Sequence, residues 1–184
     1  ANDMATAHGV ALPTQVAMGW GTESLRAAGG SPEVGKLLDV FAMTESDAGQ
    51  ARTNPTSSAR GVFQYMTKGL DGGNNAMQTA ATRVLRQMQE EGEPVPKWAY
   101  QMATAADGSD EDREQFMLTL DDDASGAMLL WEMKSNPWTN ELLEKAKHGD
   151  KESVRELYYK YHHTNPDPQT TYLFERNLTY IYGE

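Results

Sequence analysis

The stretch Thr44 to Met66, TESDAGQARTNPTSSARGVFQYM, decides how this chain is read. Upstream of it, Ser31-Pro32-Glu33-Val34 has the chemistry of a helix start. Ser serves as N-cap, Pro fits the first turn, and Glu lies near the positive end of the helix dipole. Val34, Leu37, Leu38 and Phe41 then recur at helical spacing, so one face is apolar. Four residues beyond Phe41 the same face reaches Glu45. A carboxylate on the line of the core is costly unless it is paired or used. After it comes a loop of small and polar residues, which closes on Gly61-Val62-Phe63-Gln64. An acid at the end of an apolar-faced helix, followed by a small-residue loop and an amide, forms a candidate one-carboxylate active site. The competing reading takes Thr44-Glu45-Ser46-Asp47 as a solvated helix end and the rest as an ordinary surface loop.

Working outward, residues 1–13 are small and weakly patterned, as expected of a tail or the cut edge of a larger protein. Thr14 to Ala28 can form a short helix stopped by Gly29-Gly30, which sets residues 1–30 apart from a main domain over 31–184. Beyond the loop, Val62 to Met66 reads as a short buried segment or strand. The Asp71 to Asn75 cluster launches a helix over about 75–89, with Met77, Ala81, Val84, Leu85 and Met88 on one face. Pro94 and Pro96 break it, and a short helix follows over Lys97–Ala106. The acidic run from Asp107 starts another, and Asp121-Asp122-Asp123 caps a strongly apolar helix over Ala124–Lys134. Asn136-Pro137 stops that one. Further helices are expected over Pro137–Lys147, Lys151–His162 and about 169–182. Almost no alternating pattern is present, so the fold class is mainly α, with little or no β-structure.

Composition narrows the function. The chain has 184 residues and is 39% hydrophobic, enough for one good core. No run of 18 apolar residues occurs, so no transmembrane helix and no membrane insertion are expected, and no secretory leader is visible. With no cysteine there is no disulfide, thiolate nucleophile or Cys metal site. The net charge of −11 is uneven: residues 1–88 hold seven acids and seven bases, and the remainder hold 20 and nine. Such a surface repels phosphate, so nucleic acid is not an expected partner. The acidic runs read as solvated helix starts and loops. No Gly-x-Ser-x-Gly and no Gly-rich phosphate loop after a strand is present. Adjacent His162 and His163 on a helix point about 100° apart, and with Asp167 they make a thin ligand set, so neither metal nor cofactor is expected.

Glu45-Ser46, a loop with Asn54-Pro55 and Ser57-Ser58-Ala59, and Gly61-x-x-Gln64 together resemble the signature of lytic transglycosylases of the soluble and goose-lysozyme-like type. Bacterial cell-wall enzymes and phage virion-associated peptidoglycan-degrading proteins share it. The resemblance implies a compact lysozyme-like helical domain with Glu45 as its catalytic acid. It also implies that Ser46 fixes the substrate or the helix end, and that Gln64 binds an N-acetyl or hydroxyl group. A later family motif of aromatic, Asn, Ala and Gly ends a helix lining the sugar cleft, and phage members often carry a histidine-aromatic version. Here His162 and His163 stand at its Tyr-Asn and Asn165 at its Gly, which makes the two histidines candidate substrate contacts. The family also places a tyrosine near the domain end on the carboxylate or the substrate. Tyr180 fits, with Tyr172 in reserve, whereas Tyr158 and Tyr161 read equally well as plain core.

The family chemistry cuts the β-1,4 bond between N-acetylmuramic acid and N-acetylglucosamine. One Glu acts as acid and then base while the muramyl C6 hydroxyl attacks, leaving a 1,6-anhydro end. An apolar pocket that raises the Glu45 pKa is the expected way to keep it protonated. Goose-type lysozymes carry Asp where this chain has Ser58 and Gly69, which favours the one-acid route, with Asp71 the near miss for a second carboxylate. The expected partner is peptidoglycan glycan, met in the bacterial periplasm or cell wall as part of a larger virion or cell-envelope assembly. Two alternatives stay open: a hydrolytic goose-type-like lysozyme, and a non-catalytic virion structural or ejection domain.

Overall fold

The computed structural model describes residues 32–55, 57–68 and 76–183. The helix expected over Thr14–Ala28, the Ser31 cap and the Asp71–Asn75 turn lie outside the described residues. The rest is mainly α. Helix α1 (Pro32–Ser46) is followed by a two-stranded antiparallel hairpin, β1 (Ala59–Arg60) and β2 (Tyr65–Met66). Then come α2 (Ala76–Glu90), α3 (Lys97–Ala106), α4 (Asp110–Thr119), α5 (Asp122–Lys134), α6 (Pro137–Lys147) and α7 (Lys151–Leu157). A π-helical turn over Tyr158–His162 leads to α8 (Pro168–Tyr182). Among the described residues no helix is long and apolar enough to cross a membrane.

Local chemistry sets most of these boundaries. Ser109 and Asp112 form a capping box at the start of α4, each side chain bonded to the other's backbone N–H. Asp121, Asn136, Asp150 and Asp167 cap α5, α6, α7 and α8 through their side-chain oxygens. Pro137 and Pro168 occupy the first turns that follow. The acidic stretches over 107–114 and 121–123 are therefore helix starts, whereas that over 90–93 ends α2 and enters the following loop.

Helix α1 lies at the centre. Val34, Leu37, Leu38, Val40, Phe41 and Ala42 are all buried, which is more than the single apolar face expected. The cause is enclosure from several sides: α8 and α6 both pack on α1, and α2, α3 and α5 complete the core. The C-terminal end of α1 stops in three consecutive left-handed residues, Asp47, Ala48 and Gly49. Two of the three are not glycine, so the turn stores roughly 1–2 kcal/mol per residue of backbone strain. Hydrogen bonds offset that strain: the Ala48 N–H donates to the Ala42 carbonyl and the Ala51 N–H to the Ser46 carbonyl. The hairpin pairs Ala59 with Met66 and Arg60 with Tyr65. Its turn needs Gly61 for two reasons. The residue has φ +87°, and a Cβ there would stand 2.9 Å from the Met117 carbonyl oxygen.

Candidate active site

Glu45 sits on the last turn of α1 and is buried, with only 9% of its side chain exposed. It is paired. The Tyr158 hydroxyl donates to Glu45 Oε1 at 2.7 Å, and His163 Nδ1 lies 3.2 Å from the same oxygen. Tyr158 is itself fully buried, stacked on Phe174 with ring centroids 4.1 Å apart and meeting Phe41 edge-on at 5.2 Å. Aromatic contacts of this kind fix the ring and therefore aim its hydroxyl.

The π turn explains how both histidines reach one carboxylate. The His163 N–H bonds back to the Tyr158 carbonyl, five residues earlier, at 2.8 Å. A regular helix would bond four residues back. His163 then leaves helical geometry, at φ −133°, ψ 81°. The expectation of one straight helix over 151–162, with its histidines splayed, is thus corrected: the helical register breaks at Leu157. His162 Nε2 lies 3.0 Å from the Phe63 carbonyl and 3.9 Å from Glu45 Oε1. A carbonyl only accepts, so His162 carries its proton on Nε2 and donates there. Burial lowers the pKa of His162, which keeps it neutral near pH 7.

The electrostatics of Glu45 run against the sequence expectation. Burial does push its pKa up, yet the net direction is down. The hydrogen bond with His163 is the leading cause of the lowering, with the charge of His162 and the Tyr158 hydroxyl behind it. Since His162 is neutral, the lowering rests on His163 and Tyr158. Reciprocally, His163 is raised, mainly by its hydrogen bond to Glu45. Glu45 is thus an ionised, hydrogen-bonded carboxylate rather than a protonated acid in an apolar pocket.

Glu45 opens on a cleft of about 380 Å³ lined by Thr44, Asn54, Ser57, Gln64, His162, His163 and Thr170, among others. It is the one carboxylate among the described lining residues. Asn54 and Ser57 come from the loop between α1 and the hairpin. Gln64 has positive φ, 54°, and both hydrogens of its amide are committed, to the Arg52 carbonyl at 3.1 Å and the Gly61 carbonyl at 2.8 Å. Only its amide oxygen is left to meet a ligand, as an acceptor. A second cavity, of about 290 Å³, adjoins the first and shares Gln64, Met66 and His162 with it.

Ser46 does not line the cleft. Its buried hydroxyl donates to the Val62 carbonyl at 2.6 Å and accepts from the Gly49 N–H at 2.8 Å, which ties the end of α1 to the hairpin. Of the two functions that the resemblance implied for it, this geometry serves the helix end. Tyr180 packs with Ile181 against Met43 and Ala48, outside the described lining of the cleft. Tyr172, the reserve, is exposed on α8. The tyrosine on the carboxylate is Tyr158. A signal for it existed in the sequence, since Tyr158 and His162 are four apart and share a helix face. Gly69 and Asp71 lie outside the described residues, and Ser58 bonds within the hairpin region, donating to Met66 Sδ and accepting from the Lys68 N–H. Among the described residues no group of three or more His, Asp or Glu side chains is disposed to hold a metal ion.

No protein-family model, curated protein or solved structure matches the chain.

Proposed function

We propose that the chain is a peptidoglycan lytic transglycosylase that cleaves the MurNAc-β-1,4-GlcNAc bond by a single-Glu acid/base route. The observation that carries this reading is Glu45 itself. It is a buried carboxylate with one oxygen held by two donors, and it opens on a cleft where the described residues supply no second carboxylate. An inverting hydrolase needs a second carboxylate to activate water across the ring. The one-acid route does not. Glu45 protonates the leaving oxygen as the muramyl C1–O bond breaks. It then takes the proton from the C6 hydroxyl as that oxygen bonds to C1, and the product ends in a 1,6-anhydro sugar. Asn54, Ser57 and the Gln64 amide oxygen are the polar groups placed to hold the sugar, and positioning of the internal hydroxyl replaces capture of a free water.

The rest of the reading is contextual. An acidic chain of net charge −11 gains no steering toward an anionic wall. Delivery by a larger virion or cell-envelope assembly suits that charge, with the wall met in the periplasm. The test is digestion of purified sacculi followed by mass spectrometry of the released muropeptides. Anhydro ends support the reading, water-adduct reducing ends replace it with the hydrolytic alternative, and no release under any condition leaves the non-catalytic one.

A further inference from the structure

A catalytic acid must carry a proton when substrate arrives, yet Glu45 is held as a carboxylate. The geometry around it supplies the missing proton. The Tyr158 hydroxyl has one hydrogen, and the 2.7 Å bond to Glu45 Oε1 uses it. His163 Nδ1 then faces two oxygens, Glu45 Oε1 at 3.2 Å and the Tyr158 oxygen at 3.3 Å. Neither has a hydrogen to offer while Glu45 is ionised, so Nδ1 must carry one and donate it. If Glu45 is protonated instead, its own O–H points at Nδ1. In both cases one proton lies between Nδ1 and Oε1.

We propose that His163 is the proton-holding partner of Glu45: the proton delivered to the glycosidic oxygen rests on His163 Nδ1, crosses to Glu45 Oε1 for the acid step and returns after the base step. His163 acts through Glu45 and is a positioning residue in that sense. Its part-exposed ring borders the cleft, and the charge of the Asp167 carboxylate, at the start of α8, adds to that of Glu45 in favouring the imidazolium form. His162 does not share this task, because its Nε2–H is committed to the Phe63 carbonyl. The titratable groups facing the pair are therefore Glu45, Tyr158, His162 and Asp167, and Tyr158 stays protonated because burial and Glu45 raise its pKa far above neutrality.

The step balances. With His163 as the imidazolium, the proton leaves Nδ1 for Oε1, the ring is left neutral with its remaining proton on Nε2, and the transferred proton passes to the leaving oxygen, which takes the electron pair of the broken C1–O bond. The C6 hydroxyl oxygen bonds to C1, and its proton returns through Oε1 to Nδ1. No water, oxidant or cofactor enters.

The pairing is a property of the chain's own side chains, whereas the delivery step rests on the proposed function, so two measurements separate them. First, NMR titration of the histidine rings and Glu carboxyls in the full chain reads the pair directly. His163 should titrate above 6.5. His163→Gln should move the Glu45 titration upward in return, because linkage is reciprocal. Absence of either reciprocal shift overturns the pairing. Second, the pH profile of sacculus release reads the delivery. In the wild type, activity should be lost at high pH along the His163 titration, and His163→Gln should move that loss to the Glu45 titration measured in the same variant, with turnover down at least tenfold. His163→Asn keeps a polar nitrogen near the Nδ1 position but cannot titrate. If Asn restores wild-type turnover and pH profile, His163 only orients Glu45 and the proton-holding proposal fails. A wild type that shows the reciprocal shifts but releases nothing from sacculi keeps the pairing and rejects the enzyme reading.

Discussion

At the scale of single residues, the site depends on what each side chain still has to give once its protein partners are satisfied. In the proposed function Glu45 is the proton donor, and on that reading Glu45→Gln should cut sacculus release by roughly 10²–10⁴-fold with the fold intact, as removal of a general acid–base group does. A variant within about threefold of wild type would remove Glu45 from the chemistry. Tyr158→Phe deletes only the hydroxyl on Oε1 and should lower turnover more than Tyr180→Phe, whose ring packs against Met43 and Ala48. Equal effects from the two, measured side by side, would count against Tyr158 as the residue that orients the carboxylate. Gln64 differs from both because its donors already serve the Arg52 and Gly61 carbonyls. These pairings depend on spatial neighbours that sequence spacing does not reveal. Glu45 was legible because helical periodicity from Val34 to Phe41 points at it. The lowered pKa was not, since it comes from a histidine 118 positions away.

At the scale of elements, the site is the meeting of three pieces: the C-terminal end of α1, the hairpin and the π turn. The helices were largely legible, because Ser109, Asp121, Asn136 and Asp167 are caps with a physical mechanism and the apolar spacings behind them are regular. The π turn was not, because a one-residue change of hydrogen-bond register leaves no mark on apolar periodicity. The α1 end is tied to the hairpin through Ser46. Ser46→Ala would leave the buried Val62 carbonyl and the Gly49 N–H without that partner, at a cost of about 1–3 kcal/mol for each group left unsatisfied. Differential scanning calorimetry should show a lower Tm, and activity should fall as the Asp47–Gly49 turn relaxes and Glu45 loses its aim. Unchanged melting with lost activity would instead return Ser46 to the substrate.

At the scale of the whole molecule, the core is one helical assembly around α1, and its most consequential buried charge is not in the cleft. Glu132 on α5 stands between Trp131 and Met133, four residues after Met128 and three after Leu129, on a buried face of the helix. It is 7% exposed, and the Tyr65 hydroxyl lies 3.5 Å from Oε1. Burial raises its pKa from 4.5 to about 7, against the lowering effects of the Tyr161 hydrogen bond, the Arg83 charge and the Tyr65 hydroxyl. The consequence for stability has a definite sign. Between 4.5 and about 7 the folded chain holds a proton that the unfolded chain releases, so the contribution of Glu132 is fully present below 4.5 and is lost as pH rises through about 7. The span corresponds to about 3 kcal/mol, or roughly 5–10 °C in Tm for a chain of this size. Glu132→Gln keeps the shape and stays neutral at every pH. It should melt close to wild type at pH 5 and several degrees above it at pH 8. His163, also raised, adds a loss of its own at high pH, but it is present in both proteins and cancels in the difference. Thermal melts of the two proteins from pH 5 to 8 decide the matter: parallel curves would mean that Glu132 ionises at its ordinary pKa, and that Arg83 and the two tyrosines support its charge fully.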